Sequence, residues 1–525
     1  MMDLPLDIGV FSTIRENNYI YVDKTKFIYE LYRPGRKYFL SRPRRFGKSL
    51  LVRTMKELFK GNKPLFEGLY IYDKWDWNKT FPVIDLDLGR VSKKSPEILE
   101  DSLKTYLMRI ARNYQIDIIS NDLAGKFSEL IEEIHKSTGK KIVVLVDEYD
   151  KPILDNIDNL YVADEIRKVL NNFYGVLKSS EEFIEFIFIT GVTKFSKTSI
   201  FSGLNNISDI TVNPKFANIC GYTQEDLEKC FNEHIDIFSK SYNLSKEKLL
   251  LEIKEWYDGY SWDGENRLYN PYSILSLLED EEFDNFWFET GTPTFLMNFV
   301  KNETADVLFE PSPIIEGKFP NFDLKNLDFT TLLLQTGYLT IKSRNVNVGE
   351  LTKYELTIPN KEVSKSLFLS IIKEYSKINN KIFSTLPQKI LNSLIYLDKE
   401  SLQEAFDILL STIPSIIYGK IKEDIREPNF HMLFLALFRY MGFEVLGETP
   451  FAQGTPDLIL KKDNLVVVVE FKYSLEHDLN DLTKEAINQI KDLDYYKPFL
   501  DYNVVLLGVA FGNREVKLAL EPLEK

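Results

Sequence analysis

The segment Ser41-Arg42-Pro43-Arg44-Arg45-Phe46-Gly47-Lys48-Ser49 joins an apolar run, Tyr38-Phe39-Leu40, to a stretch of helical periodicity, Leu50 to Phe59. A loop that leaves a strand and opens a helix aims backbone N–H groups and the positive end of the helix dipole at one point, which suits phosphate. Lys48 can reach the terminal phosphates of a nucleotide there, Gly47 frees the turn, and the Ser49 hydroxyl can help hold Mg²⁺. The glycine expected five residues before Gly47 is Arg42, so the first turn departs from the usual P-loop. Arg42, Arg44 and Arg45 could bind phosphate, reach a nucleotide on a neighbouring subunit, or form a solvated basic edge; their positions in the sequence do not separate these.

A second apolar run, Ile142-Val143-Val144-Leu145-Val146, ends in Asp147-Glu148. Buried parallel strands read in this way, and their sheets bind ligands at the carboxyl ends of the strands. Asp147 is therefore expected to hold Mg²⁺ indirectly, and Glu148 to orient and deprotonate the attacking water. A third run, Phe183 to Ile189, ends in Thr190-Gly191-Val192-Thr193-Lys194, where Thr190 or Thr193 could sense the terminal phosphate. The expected nucleotide-binding set is Arg44, Arg45, Gly47, Lys48, Ser49, Asp147 and Thr193, with ATP and Mg²⁺ as ligands.

Other chemistry lies near the C-terminus. Thr455-Pro456-Asp457-Leu458-Ile459-Leu460, the polar turn Lys461 to Asn464, and Leu465-Val466-Val467-Val468-Val469-Glu470-Phe471-Lys472 read as a β-hairpin. Alternation along the strand puts Glu470 and Lys472 on one face, and pairing across the hairpin can bring Asp457 beside them. Two carboxylates can hold Mg²⁺ through oxygen, while a lysine positions or helps activate water and stabilises charge on a scissile phosphate. The metal-ligating residues expected are thus Ser49 and Asp147 at one site and Asp457 and Glu470 at the other. An ordinary surface hairpin with charged ends is the bland alternative.

These residues need scaffolds. Residues 1 to 210 alternate short apolar runs with helical patterns, which predicts a parallel α/β sheet. From 211 to 420 the pattern is mostly helical, with aromatic-rich connections such as Trp256-Tyr257-Asp258-Gly259-Tyr260, expected as packing rather than as base-stacking platforms. From 421 to 525 a helix (Asn429 to Met441), the hairpin, a helix around Glu485 to Asp492 and a last strand (Val504 to Val509) predict a small α/β domain. A chain of 525 residues exceeds the size of one hydrophobic core, so several domains are expected. Two cysteines and four scattered histidines exclude a disulfide framework and a cysteine- or histidine-built zinc site, leaving carboxylates to carry metal chemistry. The net charge of −14 argues against a wholly basic nucleic-acid binder but allows a local positive groove. No span is apolar enough for a membrane and Met1 to Val10 lacks a secretory pattern, which predicts a cytoplasmic protein.

Several motifs now give a resemblance. Tyr21-Val22-Asp23-Lys24-Thr25, Ser41 to Ser49, Pro82-Val83-Ile84, Gly191-Val192-Thr193-Lys194-Phe195-Ser196, Trp256 to Tyr260, Tyr269-Asn270-Pro271-Tyr272-Ser273 and Phe288-Glu289-Thr290-Gly291-Thr292-Pro293 resemble the AAA-ATPase-like family. That family is typically paired with a C-terminal PD-(D/E)XK nuclease superfamily domain, and Arg42 in place of glycine is part of its pattern. The C-terminal segment resembles such a domain in Phe430-His431 and in Ala486-Ile487-Asn488-Gln489-Ile490 as well; the Gly-Arg usual before the aspartate is Thr455-Pro456 here. The resemblance implies a catalytic set of Asp457, Glu470, Lys472 and Gln489, with Glu427 joining from the preceding helix in preference to Glu448, and Glu148 in the ATPase. It implies an α/β architecture of a P-loop NTPase parallel sheet, a helical middle region and a restriction-endonuclease-like domain. The function implied is ATP binding and hydrolysis coupled to Mg²⁺-dependent cleavage of nucleic acid, DNA ahead of RNA, without a membrane, and with sites that a homo-oligomer could complete across subunits. The alternative is a nucleotide-dependent binding or signalling module whose nuclease-like domain grips nucleic acid or a partner without cutting.

Overall fold

In a computed structural model of the chain, the described residues are 1–195, 206–289, 313–317, 319–321, 328–413, 426–447, 456–512 and 515–523. The chain separates into two compact units, one built from Met1–Gly291 and Ile314–Glu362, the other containing Val363–Lys525.

The first unit holds a five-stranded parallel sheet of β1 (Arg36–Ser41), β2 (Val83–Asp87), β3 (Ile142–Asp147), β4 (Ile184–Gly191) and β5 (Ser208–Asp209) in the order β2-β3-β4-β1-β5. β3 is buried at every position, as its unbroken Ile/Val/Leu run requires. The helix Lys48–Lys60 packs against β2, β3 and β4 through Leu51, Val52, Met55, Leu58 and Phe59, whose three- and four-residue spacing makes one apolar face. It stops at Gly61, whose φ of 81° is the left-handed turn that commonly ends helices. The helix Leu123–Thr138 packs on β3 and against the helices Pro96–Asn113 and Leu160–Ser179. A helical cluster around Leu227, Phe231, Ile253, Tyr257, Tyr269 and Ile274 forms a second core in this unit.

The region 211–420 read as one helical block is divided. Residues 211–289 and 314–362 go with the first unit, and 363–413 go with the second. It also contains a sheet that the helical reading passed over, β6 (Ile314–Glu316), β7 (Thr340–Asn345) and β8 (Lys353–Thr357), antiparallel in the order β6-β8-β7. Packing explains the division. Tyr260 and Trp262 lie edge-on to Phe46 of the P-loop, at 5.1 and 4.8 Å between ring centroids, whereas the helix Lys399–Ser411 packs on the last strand and sets Phe406 on Phe434.

The second unit carries a mixed sheet of β9 (Glu444–Gly447), β10 (Leu458–Lys462), β11 (Leu465–Tyr473), β12 (Asn503–Gly512) and β13 (Glu515–Pro522), ordered β13-β12-β11-β10-β9. β11 and β12 are parallel and the other pairs antiparallel. The helix Leu479–Asp492 crosses between the parallel pair, burying Ile487 and Ile490 against Val466, Val468 and Leu506. It comes so close that a Cβ on Gly508 would sit 2.5 Å from the Thr483 carbonyl.

Candidate active sites

In the first unit, the turn from β1 into the helix Lys48–Lys60 is made by left-handed residues, Arg45 at φ 63° and Gly47 at φ 90°. A Cβ on Gly47 would meet nothing within 4 Å, so the backbone conformation alone calls for glycine. Lys48 is buried, and its Nζ donates to the carbonyls of Arg42 at 2.9 Å and Pro43 at 2.8 Å. Burial pulls its pKa down, while Asp147, Glu148 and Asp150 oppose that shift.

Arg42 serves none of the three roles open to it from sequence. It is 0% exposed. Its Nη1 donates to the Ser41 and Thr211 carbonyls at 2.8 Å each, and its Nη2 to the Phe216 and Ala217 carbonyls at 3.4 and 3.3 Å. Its guanidinium lies over Trp262, and burial lowers its pKa to about 10. The residue in the glycine's place is an anchor under the loop.

Arg44, Arg45, Gly47, Lys48 and Ser49 instead line a cleft of about 430 Å³, walled by Pro5, Asp7, Ile8 and Gly9 and by Tyr272 and Leu275 of the helix Pro271–Asp280. Arg45 pairs with Asp7 at 3.2 Å and covers the Tyr272 ring at 4.3 Å. The Arg44 carbonyl accepts from Asn270 Nδ2 at 3.4 Å and Trp287 Nε1 at 3.3 Å, so residues far along the chain hold the loop's shape.

At the end of β3, Asp147 is buried and accepts the Thr190 hydroxyl at 2.7 Å. Glu148 lines the cleft with a left-handed φ of 53°, a conformation that costs a non-glycine residue roughly 1 kcal/mol or more and gathers at functional sites. Burial raises its pKa, opposed by Lys48. Thr193, expected as a phosphate sensor, is wholly buried and does not line the cleft. Its hydroxyl and amide both donate to buried Asp150 at 2.6 Å. Spacing alone did not separate Thr190, just before Gly191, from Thr193, two residues after it. Among the cleft residues that went unnoticed in the sequence are Asp7, Arg53 and Lys151. Arg53 was detectable, lying one helical turn after Ser49 and hence on its face.

In the second unit the hairpin register pairs Leu458 with Val469, so the next step sets Asp457 opposite Glu470. Asp457 Oδ2 accepts from the Phe471 amide at 2.7 Å. Glu470 is 3% exposed, and its Oε1 accepts from Lys472 Nζ at 3.1 Å and from Gln489 Nε2. Lys472 Nζ also donates to Gln489 Oε1. The structure thus gathers Glu470, Lys472 and Gln489 in one network with Asp457 beside it. Burial raises the Glu470 pKa, the Asp457 charge raises it further, and Lys472 opposes. Glu470 Oε2 is buried without a hydrogen-bond partner. A buried carboxylate oxygen cannot stay unpaired cheaply, and a cation is the partner that fits it beside a second acid. Among the described residues no third carboxylate, histidine or cysteine completes a cluster. Glu427 falls on the helix Arg426–Tyr440, but its side chain, like Glu448 and Thr455, lies outside the described residues.

No helix among the described residues is long and apolar enough to cross a membrane. Residues 5–201 match the family model described as Predicted AAA-ATPase, of the AAA-ATPase-like type, and residues 425–520 match that of the PD-(D/E)XK nuclease superfamily. The "Uncharacterized protein in vnfD 5'region" of Azotobacter chroococcum mcd 1 is 36% identical over 515 residues, which cover 97% of this chain and 96% of that protein. With the P-loop cleft at one end of the sequence and the Asp-Glu-Lys hairpin at the other, the chain belongs to the family of AAA-ATPase-like proteins that carry a C-terminal PD-(D/E)XK nuclease superfamily domain.

Proposed function

We propose that this protein binds and hydrolyses ATP in the cleft of its first unit and cleaves nucleic acid, DNA ahead of RNA, with the hairpin site of its second. The observation that carries the nuclease reading is Glu470 Oε2, buried and unpartnered beside Asp457.

For ATP, the amides at the start of the helix Lys48–Lys60 receive the phosphates, and Arg44 and Arg45 add positive charge. Lys48 exchanges two backbone carbonyls for phosphate oxygens, an exchange favoured because a charge-assisted bond is stronger than a bond to a neutral carbonyl. Ser49 and Asp147 would hold Mg²⁺. Glu148 takes the proton of the attacking water, and its raised pKa makes it a better base than an ordinary carboxylate.

In the second unit Asp457 and Glu470 would hold Mg²⁺, which supplies a Lewis acid for the scissile phosphate. Lys472 orients the attacking water and faces the charge that grows on the phosphate. Gln489 fixes both Glu470 and Lys472, and Glu427 is placed in sequence to join from the helix Arg426–Tyr440.

The test is cleavage of labelled single- and double-stranded DNA and RNA, with and without ATP and Mg²⁺, for the wild type, Lys472→Ala and Lys48→Ala. The expected result is Mg²⁺-dependent cutting lost in Lys472→Ala and altered ATP dependence in Lys48→Ala. ATP binding without cleavage of any substrate would leave a nucleotide-dependent binding module instead.

A further inference from the structure

We infer that Gly89 is a positioning residue for ATP hydrolysis, leaving by its missing side chain the space in which the Glu148 carboxylate rests. The inference deepens the reading of the first unit as an ATPase and rests on it.

β2 ends at Asp87, level with Asp147 of β3, and continues into the short turn Leu88–Arg90. Asp87 organises that turn. Its Oδ1 accepts from the Gly89 amide at 3.0 Å, while its Oδ2 pairs with Arg90 at 2.8 Å and lies 3.7 Å from Arg53. The turn therefore holds its shape from both sides of one carboxylate.

Gly89 does not have a positive φ, so its backbone would accept any side chain. A neighbour forbids one. A Cβ built there would sit 2.5 Å from Glu148 Oε2, far below van der Waals contact, and 3.0 Å from Asp87 Oδ1, a tight approach. At Glu148 the backbone is left-handed, and the carboxylate can adjust through its side-chain torsions. The atom that an added methyl would strike hardest, Glu148 Oε2, is the far end of a flexible side chain, whereas Asp87 Oδ1, held by the Gly89 amide, need give only slightly. An alanine is therefore accommodated by swinging Glu148 away, without disturbing the sheet, and the damage falls on catalysis and not on folding.

The experiment compares the full-length wild type with Gly89→Ala, Glu148→Gln and the double variant. It measures ATPase kcat and KM, binding of a fluorescent ATP analogue, and melting temperature. Gly89→Ala should lower kcat at least about tenfold, since a displacement near 1 Å costs on the order of a hundredfold. Analogue affinity should stay within about twofold, and adding Gly89→Ala to Glu148→Gln should remove nothing more, because both changes act on one group. Hydrolysis by the wild type with an unimpaired Gly89→Ala overturns the inference alone, as does an equal loss from Gly89→Ala in the Glu148→Gln background. A wild type that binds the analogue but never hydrolyses ATP overturns the inference together with the ATPase reading.

Discussion

The guanidinium carbon of Arg42 lies 4.0 Å from the centroid of the Trp262 ring, so an arginine where a P-loop has its first glycine is stacked on an aromatic from the helical part of the same unit. The pair replaces one way of shaping a phosphate loop by another. A glycine lets the chain turn by itself, whereas here the turn is held from beneath by a cation–π contact and four carbonyl acceptors.

Restoring the glycine should therefore harm the protein. Arg42→Gly takes the guanidinium from the buried carbonyls of Thr211 and Ala217 and opens a cavity against Trp262, at a cost of about 3 kcal/mol or more. Arg42→Lys keeps the charge but loses the planar fork and should fall between. Urea unfolding of both variants checks the order; an Arg42→Gly protein as stable as the wild type would refute the anchoring role.

Stability should also depend on Glu362. It is wholly buried, accepts from Ser273 Oγ at 2.9 and 3.1 Å and from the Trp287 amide at 2.8 Å, and burial raises its pKa to about 8. An acid with a raised folded pKa keeps its proton longer in the native state than in the unfolded chain. Its contribution is complete below about pH 4.5 and is lost as pH rises to about 8, on the order of a few kcal/mol in all. Melting temperature should fall across that window, and Glu362→Gln, whose amide oxygen can accept the same donors, should flatten the fall.

The local features were legible because each depends on neighbours in sequence. The unbroken apolar run of β3 and the 3.6 period of the helix Lys48–Lys60 need no distant partner to be recognised. The same holds for the β10–β11 hairpin, whose turn Asp463 adopts φ 51°. What stayed hidden depends on pairs far apart. Nothing around residue 42 announces Trp262, nothing around 44 announces Asn270 and Trp287, and the commitment of Thr193 to Asp150 is visible only once β3 and β4 stand side by side. The sheet β6-β8-β7 was missed for a different reason, since its strands are short and interrupted by polar residues that mask the alternation.

The grip of Asn270 and Trp287 on the Arg44 carbonyl predicts a binding defect without loss of fold. Trp287→Phe keeps the ring against Tyr338, where the centroids stand 5.2 Å apart, but removes the indole N–H. ATP affinity should weaken several-fold, since one hydrogen bond is worth about 1 kcal/mol. Titration with a fluorescent nucleotide measures it, and an unchanged affinity would show that the loop keeps its shape alone.

At the hairpin site, metal binding and pH must be linked through Glu470. A divalent ion needs the carboxylate, and burial together with the Asp457 charge holds the Glu470 proton to a higher pH than an ordinary glutamate. Mg²⁺ affinity should therefore decline as pH falls through that raised pKa, above the usual 4.5. Glu470→Gln should abolish the rise in melting temperature that Mg²⁺ produces at neutral pH. Gln489→Ala should keep that rise but weaken Mg²⁺ binding or cleavage by about 10- to 100-fold, because the partner that orients Glu470 and Lys472 is lost while the ligand remains. A Mg²⁺ response equal in wild type and Glu470→Gln would mean that the unpartnered Oε2 has no metal to meet.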